Sequence, residues 1–306
     1  MDELPDPVQY AIPAFIILIL IEMVIARRVD PSRYEPKDTL ISLLLGTGST
    51  VAGALTGSFV VGLSVWLSQF GLFEIGYVWW AWILVFLLDD LAYYVFHRMA
   101  HRVRWFWASH VIHHSSQHYN LSTALRQTWT GFFSLSFAFS LPIILIGFPV
   151  EMLLFASAVN LVYQFWIHTE TIDRMPRWFE AVFNTPSHHR VHHATNPRYL
   201  DKNYAGMLII WDRMFGTFEA ERDDERPRYG IIKNLGSFNL LWAAFHEWIG
   251  IARDVATAPG IRNKIGYLLR PPGWSHDGSR DTSDTIKARW RESGARETVE
   301  PETSSG

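Results

Sequence analysis

Hydrophobic residues are concentrated before residue 170, where five long apolar runs alternate with short polar connections. A helix needs about 20 mainly apolar residues to cross the roughly 30 Å hydrocarbon core of a bilayer. The longer runs reach this length, and the last two are separated only by residues 148–151, which indicates a tight hairpin. The pattern predicts an all-α integral membrane protein with four to five transmembrane helices, over about 11–28, 40–68, 78–98, 130–148 and 151–169.

Basic residues follow some of these runs and are missing from the other connections. They come after the first, third and fifth runs, as Arg27, Arg28, Arg33, Lys37, Arg98, Arg102, Arg104, Arg174 and Arg177. Residues 1–10, 69–77 and 148–151 contain no Lys or Arg. Because membrane-flanking loops rich in Lys and Arg usually lie in the cytoplasm, we expect the first set of connections on the cytoplasmic side.

The rest of the chain is more polar. We expect residues 99–129 and 170–274 to form a helical cytoplasmic cap, so that residues 1–274 make one membrane domain. Residues 238–255 follow an amphipathic helical pattern that fits either the membrane interface or the interior of the cap. Residues 275–306 are rich in Ser, Asp, Arg, Thr and Glu, and are predicted to be mostly disordered.

Composition narrows the chemistry that such a protein can carry. The formal net charge is −3, so no basic field points to nucleic acid. The chain has no cysteine, which excludes disulfides, thiolate metal sites and cysteine-ligated iron–sulfur clusters. Any metal must therefore bind to His, Asp, Glu, Asn or Gln side chains.

Histidines recur at helical spacing at the ends of the apolar runs. One pair is spaced i, i+4, and the pattern H-x-x-H-H occurs twice. Residues three and four apart share a helix face, so each cluster can direct several imidazoles to one point. Imidazole is the commonest protein ligand for metals such as iron, copper and zinc. We predict nine metal ligands: His97, His101, His110, His113, His114, His168, His189, His192 and His193.

Nine imidazoles are too many for one ion, since four-coordinate zinc takes three or four protein ligands. They fit two metals with four or five imidazoles each and open positions for substrate. Asp90 is placed to orient a ligand by accepting its second N–H. Weaker candidates for the metal or its surroundings are His188, Gln164, Asp89 and Tyr94, whereas His118, His246 and His276 lie outside the pattern. No catalytic residue is expected beyond the metal ligands.

Two redox metals beside a membrane can activate dioxygen and oxidise a C–H bond of a lipid that arrives from the bilayer. A histidine-rich metal transporter is a competing interpretation, but it would place its ligands along a path near the bilayer midplane. A heme carrier with two axial histidines is another, and it would leave at least five of the nine imidazoles without a role.

Three motifs carry a resemblance to a known family. H-R-M-A-H at 97–101, H-V-I-H-H at 110–114 and H-H-R-V-H-H at 188–193 resemble the fatty acid hydroxylase and sterol desaturase superfamily of integral membrane di-iron enzymes. The resemblance covers roughly residues 40–220. Further segments within it are similar to the alkylglycerol monooxygenases and their bacterial relatives: 113–116, 119–127, 164–170, 184–193, 201–204 and 211–213.

This resemblance implies two iron ions, although a purified sample could carry zinc, and O2-dependent hydroxylation of the carbon beside the ether oxygen of an alkyl glycerolipid. It also implies an external reductant, which in those enzymes is a tetrahydropterin. The alternative within the same chemistry is a desaturase or hydroxylase of sterols, carotenoids or fatty acyl chains. No cytochrome b-type segment is evident, so a separate electron donor is expected. The expected location is a bacterial inner membrane or an endoplasmic reticulum-type membrane.

Overall fold

A computed structural model of the chain describes residues 4–297, and within them the regular structure is helical, with only two isolated β-bridges. Most of the helices lie before residue 200 and carry the histidine motifs. The α-helices are α1 (Pro7–Val29), α2 (Pro36–Ser68), α3 (Trp79–Arg102), α4 (Arg104–His114), α5 (Leu141–Ile146), α6 (Val150–Trp166), α7 (Arg177–Val182), α8 (Pro186–His192), α9 (Ile210–Met214), α10 (Leu240–Thr257), α11 (Gly260–Leu269) and α12 (Ser283–Glu297).

The helices α1, α2 and α3 are long and apolar enough to cross a membrane. Asp6 caps α1 through the N–H of Val8 at 2.9 Å, and Glu35 caps α2 through the N–H of Asp38 at 2.6 Å, so both begin at a satisfied polar end. Most apolar side chains of α1 and α2 are exposed in the isolated chain. Such a large apolar surface fits contact with lipid rather than water.

The prediction of one continuous helix over 130–148 is wrong. Residues 131–135 form turns, a short 3₁₀ helix covers Ser136–Phe139, and α5 follows. The hydroxyls of Ser134 and Ser136 both donate to the carbonyl of Gly131, which competes with helical backbone bonding. The predicted fifth helix is present as α6, which begins after Pro149 and has 17 residues.

The prediction of disorder is wrong for part of the polar tail, because α12 is formed there. Asp284 accepts two hydrogen bonds from Arg102, at 2.9 and 2.7 Å, and the guanidinium of Arg198 lies 4.9 Å from the ring centre of Trp290. Charge pairing with the main body therefore supplies what the low apolar content of this segment does not. Residues 1–3 and 298–306 lie outside the described residues, and the assignment of 1–274 to one domain stays a prediction.

Buried polar contacts connect the cap to the long helices. Arg104 at the start of α4 donates to Glu247 and Asp254 of α10, each at 2.6 Å. Arg126, in the loop after α4, donates to Asp38 of α2 at 3.1 Å, and both side chains are buried. These ion pairs hold α4, which carries three of the histidines, between α2 and α10.

The pair of Arg126 and Asp38 offers a test of this packing. Asp38→Ala leaves the guanidinium buried without its counter-charge, so we expect a loss of about 3–5 kcal/mol in the free energy of unfolding. The matched change at an exposed pair, Asp284→Ala, should cost less than about 1 kcal/mol. Unfolding in mixed micelles measures both, and equal losses would contradict the packing described for α2 and α4.

Candidate metal centre

The structure brings all nine predicted histidines together at the inner ends of α3, α4 and α6 and on α8. They form two adjacent groups, in each of which one ring nitrogen per residue lies within 4.8 Å of all the others. Seven rings are buried, and those of His110 and His113 are partly exposed. The first group is His97, His101, His110, His114 and His192, and the second is His113, His168, His189 and His193.

Local backbone structure explains how distant parts of the chain reach one centre. Val103 is the one non-helical residue between α3 and α4, so the chain turns sharply and α4 packs back on α3. The short helix α8 starts at Pro186, where the absence of an N–H costs nothing. Asn203 donates to the carbonyl of His188 at 3.0 Å and fixes α8 against the following loop.

In the first group the Nε2 atoms face each other. Those of His97 and His110 are 2.8 Å apart, and the Nε2 of His114 lies 3.1 Å from that of His110 and 3.2 Å from that of His192. In the second group, the Nε2 of His168 lies 3.1 Å from the Nε2 atoms of both His113 and His189. The rings of His114 and His193 stack with their centres 4.3 Å apart, so the groups share one wall.

Backbone carbonyls orient four of the rings through their other nitrogen. The Nδ1–H of His97 donates to Tyr204 at 2.7 Å, and those of His168, His192 and His113 donate to Gln164, Lys202 and Arg126 at 2.7, 2.9 and 3.3 Å. A carbonyl can only accept, so each neutral ring keeps its Nε2 lone pair directed inward. This is the usual outer arrangement of a metal-binding histidine.

The donor set fits a pair of divalent metal ions. Burial lowers the pKa of His113 to about 4 and that of His192 to about 3, and it holds the pKa of His168 well below the ordinary value, so these rings are neutral at pH 7. Facing lone pairs 3.1 Å apart repel unless a cation lies between them. The Nε2 atoms of His101 and His193 are buried without a hydrogen-bond partner in the described part of the chain.

The expectation that the carboxylate of Asp90 orients His97 is wrong, since the carbonyl of Tyr204 takes that position. Asp90 accepts hydrogen bonds instead from the backbone N–H groups of Met207 and Leu208, at 2.8 and 3.0 Å, and from the indole of Trp211 at 2.9 Å. Asp90 therefore acts on the metal centre indirectly, by fixing the loop that follows Tyr204.

Asp212 is a residue of this centre that the sequence analysis missed. Its buried carboxylate accepts from the N–H groups of Tyr204 and Ala205, both at 2.8 Å, and from the hydroxyl of Thr217 at 2.6 Å. It thus holds the peptide next to the carbonyl that orients His97. Its place in the segment 211–213 was the available signal, but nothing in the sequence indicated its contacts.

The weaker candidates lie outside both groups. Gln164 donates to Asn160 at 2.8 Å, Asp89 accepts from Ser157 at 2.5 Å, and the hydroxyl of Tyr94 lies 2.9 Å from that of Thr217. His188 packs its ring against Phe218, with ring centres 5.3 Å apart. His118, His246 and His276 bond to Ser32, the α10 backbone and Tyr267, away from the nine rings.

Removal of one ligand should affect one metal group more than the other. His193→Ala leaves three imidazoles in the second group, so we expect about one iron ion per chain instead of about two, because three protein ligands without their fourth hold the metal less tightly. Elemental analysis of the purified protein measures this. His246→Ala on α10 is the matched control and should keep the full iron content, and an unchanged content in His193→Ala would contradict the second group.

Asp90→Asn tests indirect support of the centre. The amide presents an N–H₂ where the carboxylate accepted three N–H donors, so the loop after Tyr204 should shift and iron affinity should fall about 10–100-fold. Iron retention during titration with a chelator gives the affinity. Asp89→Asn keeps an acceptor for Ser157 and should change the affinity less. Equal affinities of Asp90→Asn and the unmodified protein would exclude this role.

Comparison with known proteins gives a consistent picture. Residues 82–217 match the family model described as Fatty acid hydroxylase. Alkylglycerol monooxygenase from Homo sapiens is 40% identical over 281 residues, which cover 90% of this chain and 61% of the relative. The alkylglycerol monooxygenase from Danio rerio is 40% identical over 280 residues, with the same coverage.

A more distant relative is the ornithine lipid hydroxylase OlsE from Rhizobium tropici, 26% identical over 189 residues, which cover 59% of this chain and 56% of the relative. No solved structure matches the chain. The chain spans about three fifths of the length of the two alkylglycerol monooxygenases. The matched segment contains all nine histidines. Through residues 82–217 the chain belongs to the fatty acid hydroxylase family, and over most of its length it is similar to alkylglycerol monooxygenases.

Proposed function

We propose that this chain is a membrane-embedded di-iron monooxygenase that hydroxylates a lipid, with an alkyl glycerol ether as its substrate. The observation that carries the proposal is the pair of adjacent imidazole groups with lone pairs directed inward. Five imidazoles would hold one ion and four the other. Two irons held in this way supply the activation of dioxygen, and the chain supplies position and a site with little water.

The residues around the centre suit this role. Neutral imidazoles keep their lone pairs available at pH 7, and the carbonyls of Tyr204, Gln164 and Lys202 prevent the rings from turning. Burial of seven rings keeps bulk water away, whereas the partial exposure of His110 and His113 leaves one side open. A substrate and dioxygen could approach on that side.

An apolar groove of about 820 Å³ runs along α3 and supports a lipid substrate. Trp80, Leu84 and Leu91 line it on one helix face, and Trp211 lines it from the cap. Leu91 precedes His97 by six residues, which is about 9 Å along the axis of a helix that rises 1.5 Å per residue. A hydrocarbon chain in this groove would reach the neighbourhood of the metals from the bilayer.

The choice of an alkyl glycerol ether rests on the identity to the alkylglycerol monooxygenases. OlsE, named an ornithine lipid hydroxylase, and a cholesterol 25-hydroxylase-like protein from Danio rerio match less of the chain at 26% and 29% identity. Hydroxylation of the carbon beside the ether oxygen gives a hemiacetal, which breaks into an aldehyde and a free glycerol hydroxyl. One oxygen atom of O2 enters the lipid and the other leaves as water, so two electrons are needed from an external donor.

The metal side is proposed to face the cytoplasm, in an inner or endoplasmic reticulum-type membrane, because Arg98, Arg102 and Arg104 surround the inner end of α3. A soluble tetrahydropterin or a separate electron-transfer protein would donate from this side. A heme is a poor occupant, since Nε2 atoms only 3.1 Å apart leave no room for a macrocycle between His113 and His168.

Product analysis tests the proposal. Membranes that contain the chain should convert a 1-O-alkylglycerol into the matching fatty aldehyde, captured as a hydrazone and measured by mass spectrometry, when O2 and a tetrahydropterin are present. His113→Ala should abolish the product because it removes a ligand from the partly exposed side of the centre.

Two outcomes would contradict the proposal. Full activity of His113→Ala would exclude the metal centre as the site of oxidation. Hydroxylation or desaturation of a sterol, fatty acyl or ornithine lipid, without any aldehyde from the ether, would replace the substrate. His246→Ala should retain activity and shows that loss of a histidine is not harmful in itself.

A further inference from the structure

A second cavity, of about 410 Å³, lies beside the metal centre and is separate from the groove along α3. It is bounded by α7, the start of α8 and α9. His188 lines it, whereas the adjacent His189 belongs to the second imidazole group. The volume falls in the range of about 300–1,000 Å³ typical of small-molecule sites.

The cavity is lined by three guanidinium groups, those of Arg174, Arg177 and Arg213. Arg177 makes no hydrogen bond or ion pair with any side chain that the structure describes. Arg213 uses one nitrogen for the carbonyl of Glu180 at 3.2 Å, and Arg174 pairs with Asp223, which is almost fully exposed. Guanidinium groups have five N–H donors each, so most of these donors face the cavity or water.

The two carboxylates on the same wall are already engaged. Glu221 accepts from Arg190 at 2.6 Å, and Glu180 accepts from the hydroxyls of Thr185 and Ser187 at 3.1 and 2.9 Å. The free donors of the lining are therefore mainly positive. A cluster of planar guanidinium groups is suited to phosphate or carboxylate oxygens.

His188 gives independent evidence for a ligand. Its side chain is 3% exposed, and its Nδ1 is buried without a hydrogen-bond partner among the described residues. Phe218 contacts the ring edge-on, and the guanidinium of Arg213 lies 3.8 Å over the face of the same Phe218. A buried, unsatisfied polar group costs free energy unless a partner is present, and a bound anion would supply one.

Exposed apolar residues next to the arginines indicate where the anion comes from. Trp178 follows Arg177 and is 72% exposed, and Met214 follows Arg213 and is 68% exposed. Aromatic and basic residues side by side are typical of the membrane–water interface. The helix α9 also joins the two cavities, because Trp211 lines the groove along α3 and Arg213 lines the arginine cavity.

We propose that the cavity between α7, α8 and α9 binds the anionic, phosphate-class headgroup of a membrane lipid, through Arg177, Arg213 and His188. The groove along α3 would hold the hydrocarbon part of such a lipid. This site distinguishes acidic lipids from neutral or zwitterionic ones, and it requires the membrane location but not the oxidation chemistry.

Calorimetric titration of the full chain in neutral detergent tests the site. The probes are inorganic phosphate, dihexanoylphosphatidic acid and dihexanoylphosphatidylcholine. Phosphatidic acid should bind most tightly. The double variant Arg177→Gln/Arg213→Gln should weaken it at least about tenfold, because two charge-assisted contacts are lost. The matched pair Arg253→Gln/Arg262→Gln, exposed on α10 and α11, should stay within about twofold, as expected for surface charges away from the site.

His188→Leu should weaken phosphatidic acid binding, and His188→Gln should restore part of it. Iron content identifies any variant that has lost its fold. Equal binding by the double variant and the control pair would overturn the site. Phosphatidylcholine binding as tightly as phosphatidic acid would overturn the preference for an anion, and phosphate binding as tightly would overturn the lipid as its source. None of these results bears on oxygenation, so the proposed function stands or falls separately.

Discussion

The structure depends on holding nine uncharged imidazoles with their lone pairs directed at two points. Side chains arranged this way repel each other across about 3 Å, so they need support from outside the centre. Backbone carbonyls supply it for His97, His168 and His192 by taking the Nδ1 proton. Asp90 and Asp212 in turn fix the loop that carries one of these carbonyls, and Arg126 is itself the source of another, to His113.

The buried charges are arranged around the metal centre and do not enter it. The pairs of Arg126 with Asp38, Arg104 with Glu247 and Arg190 with Glu221 connect the cap to the long helices. Within the described residues no carboxylate belongs to either imidazole group. Bound divalent ions would thus keep their positive charge, in contrast to sites built from carboxylates, and that charge would dominate the local electrostatics.

The sequence was informative where side-chain identity and spacing carry the information. The i, i+4 spacing of His97 and His101 and the two H-x-x-H-H patterns indicated which rings meet, and apolar length indicated the three long helices. Asp90 was recognised as important, but its contacts were not, because the true partner of His97 is a backbone carbonyl and every residue has one.

Two other differences have similar causes. The run 131–147 is apolar enough for a helix, yet the serine hydroxyls break it locally, and composition averages cannot register such contacts. The tail was judged by its low apolar content, whereas α12 is held by Arg102 and by Trp290 against Arg198. Tertiary pairing of this kind joins residues nearly two hundred positions apart.

The helix α3 carries both the lining of the apolar groove and two of the metal-facing rings, with no break between Trp79 and Arg102. A continuous helix is stiff, so the spacing between these features is constant. It therefore works as a ruler, and the carbon that is oxidised would be selected by its distance from the end of the lipid tail. Lengthening or shortening α3 by one residue would turn the groove by about 100° relative to the rings, which makes this spacing one of the least adjustable dimensions of the molecule.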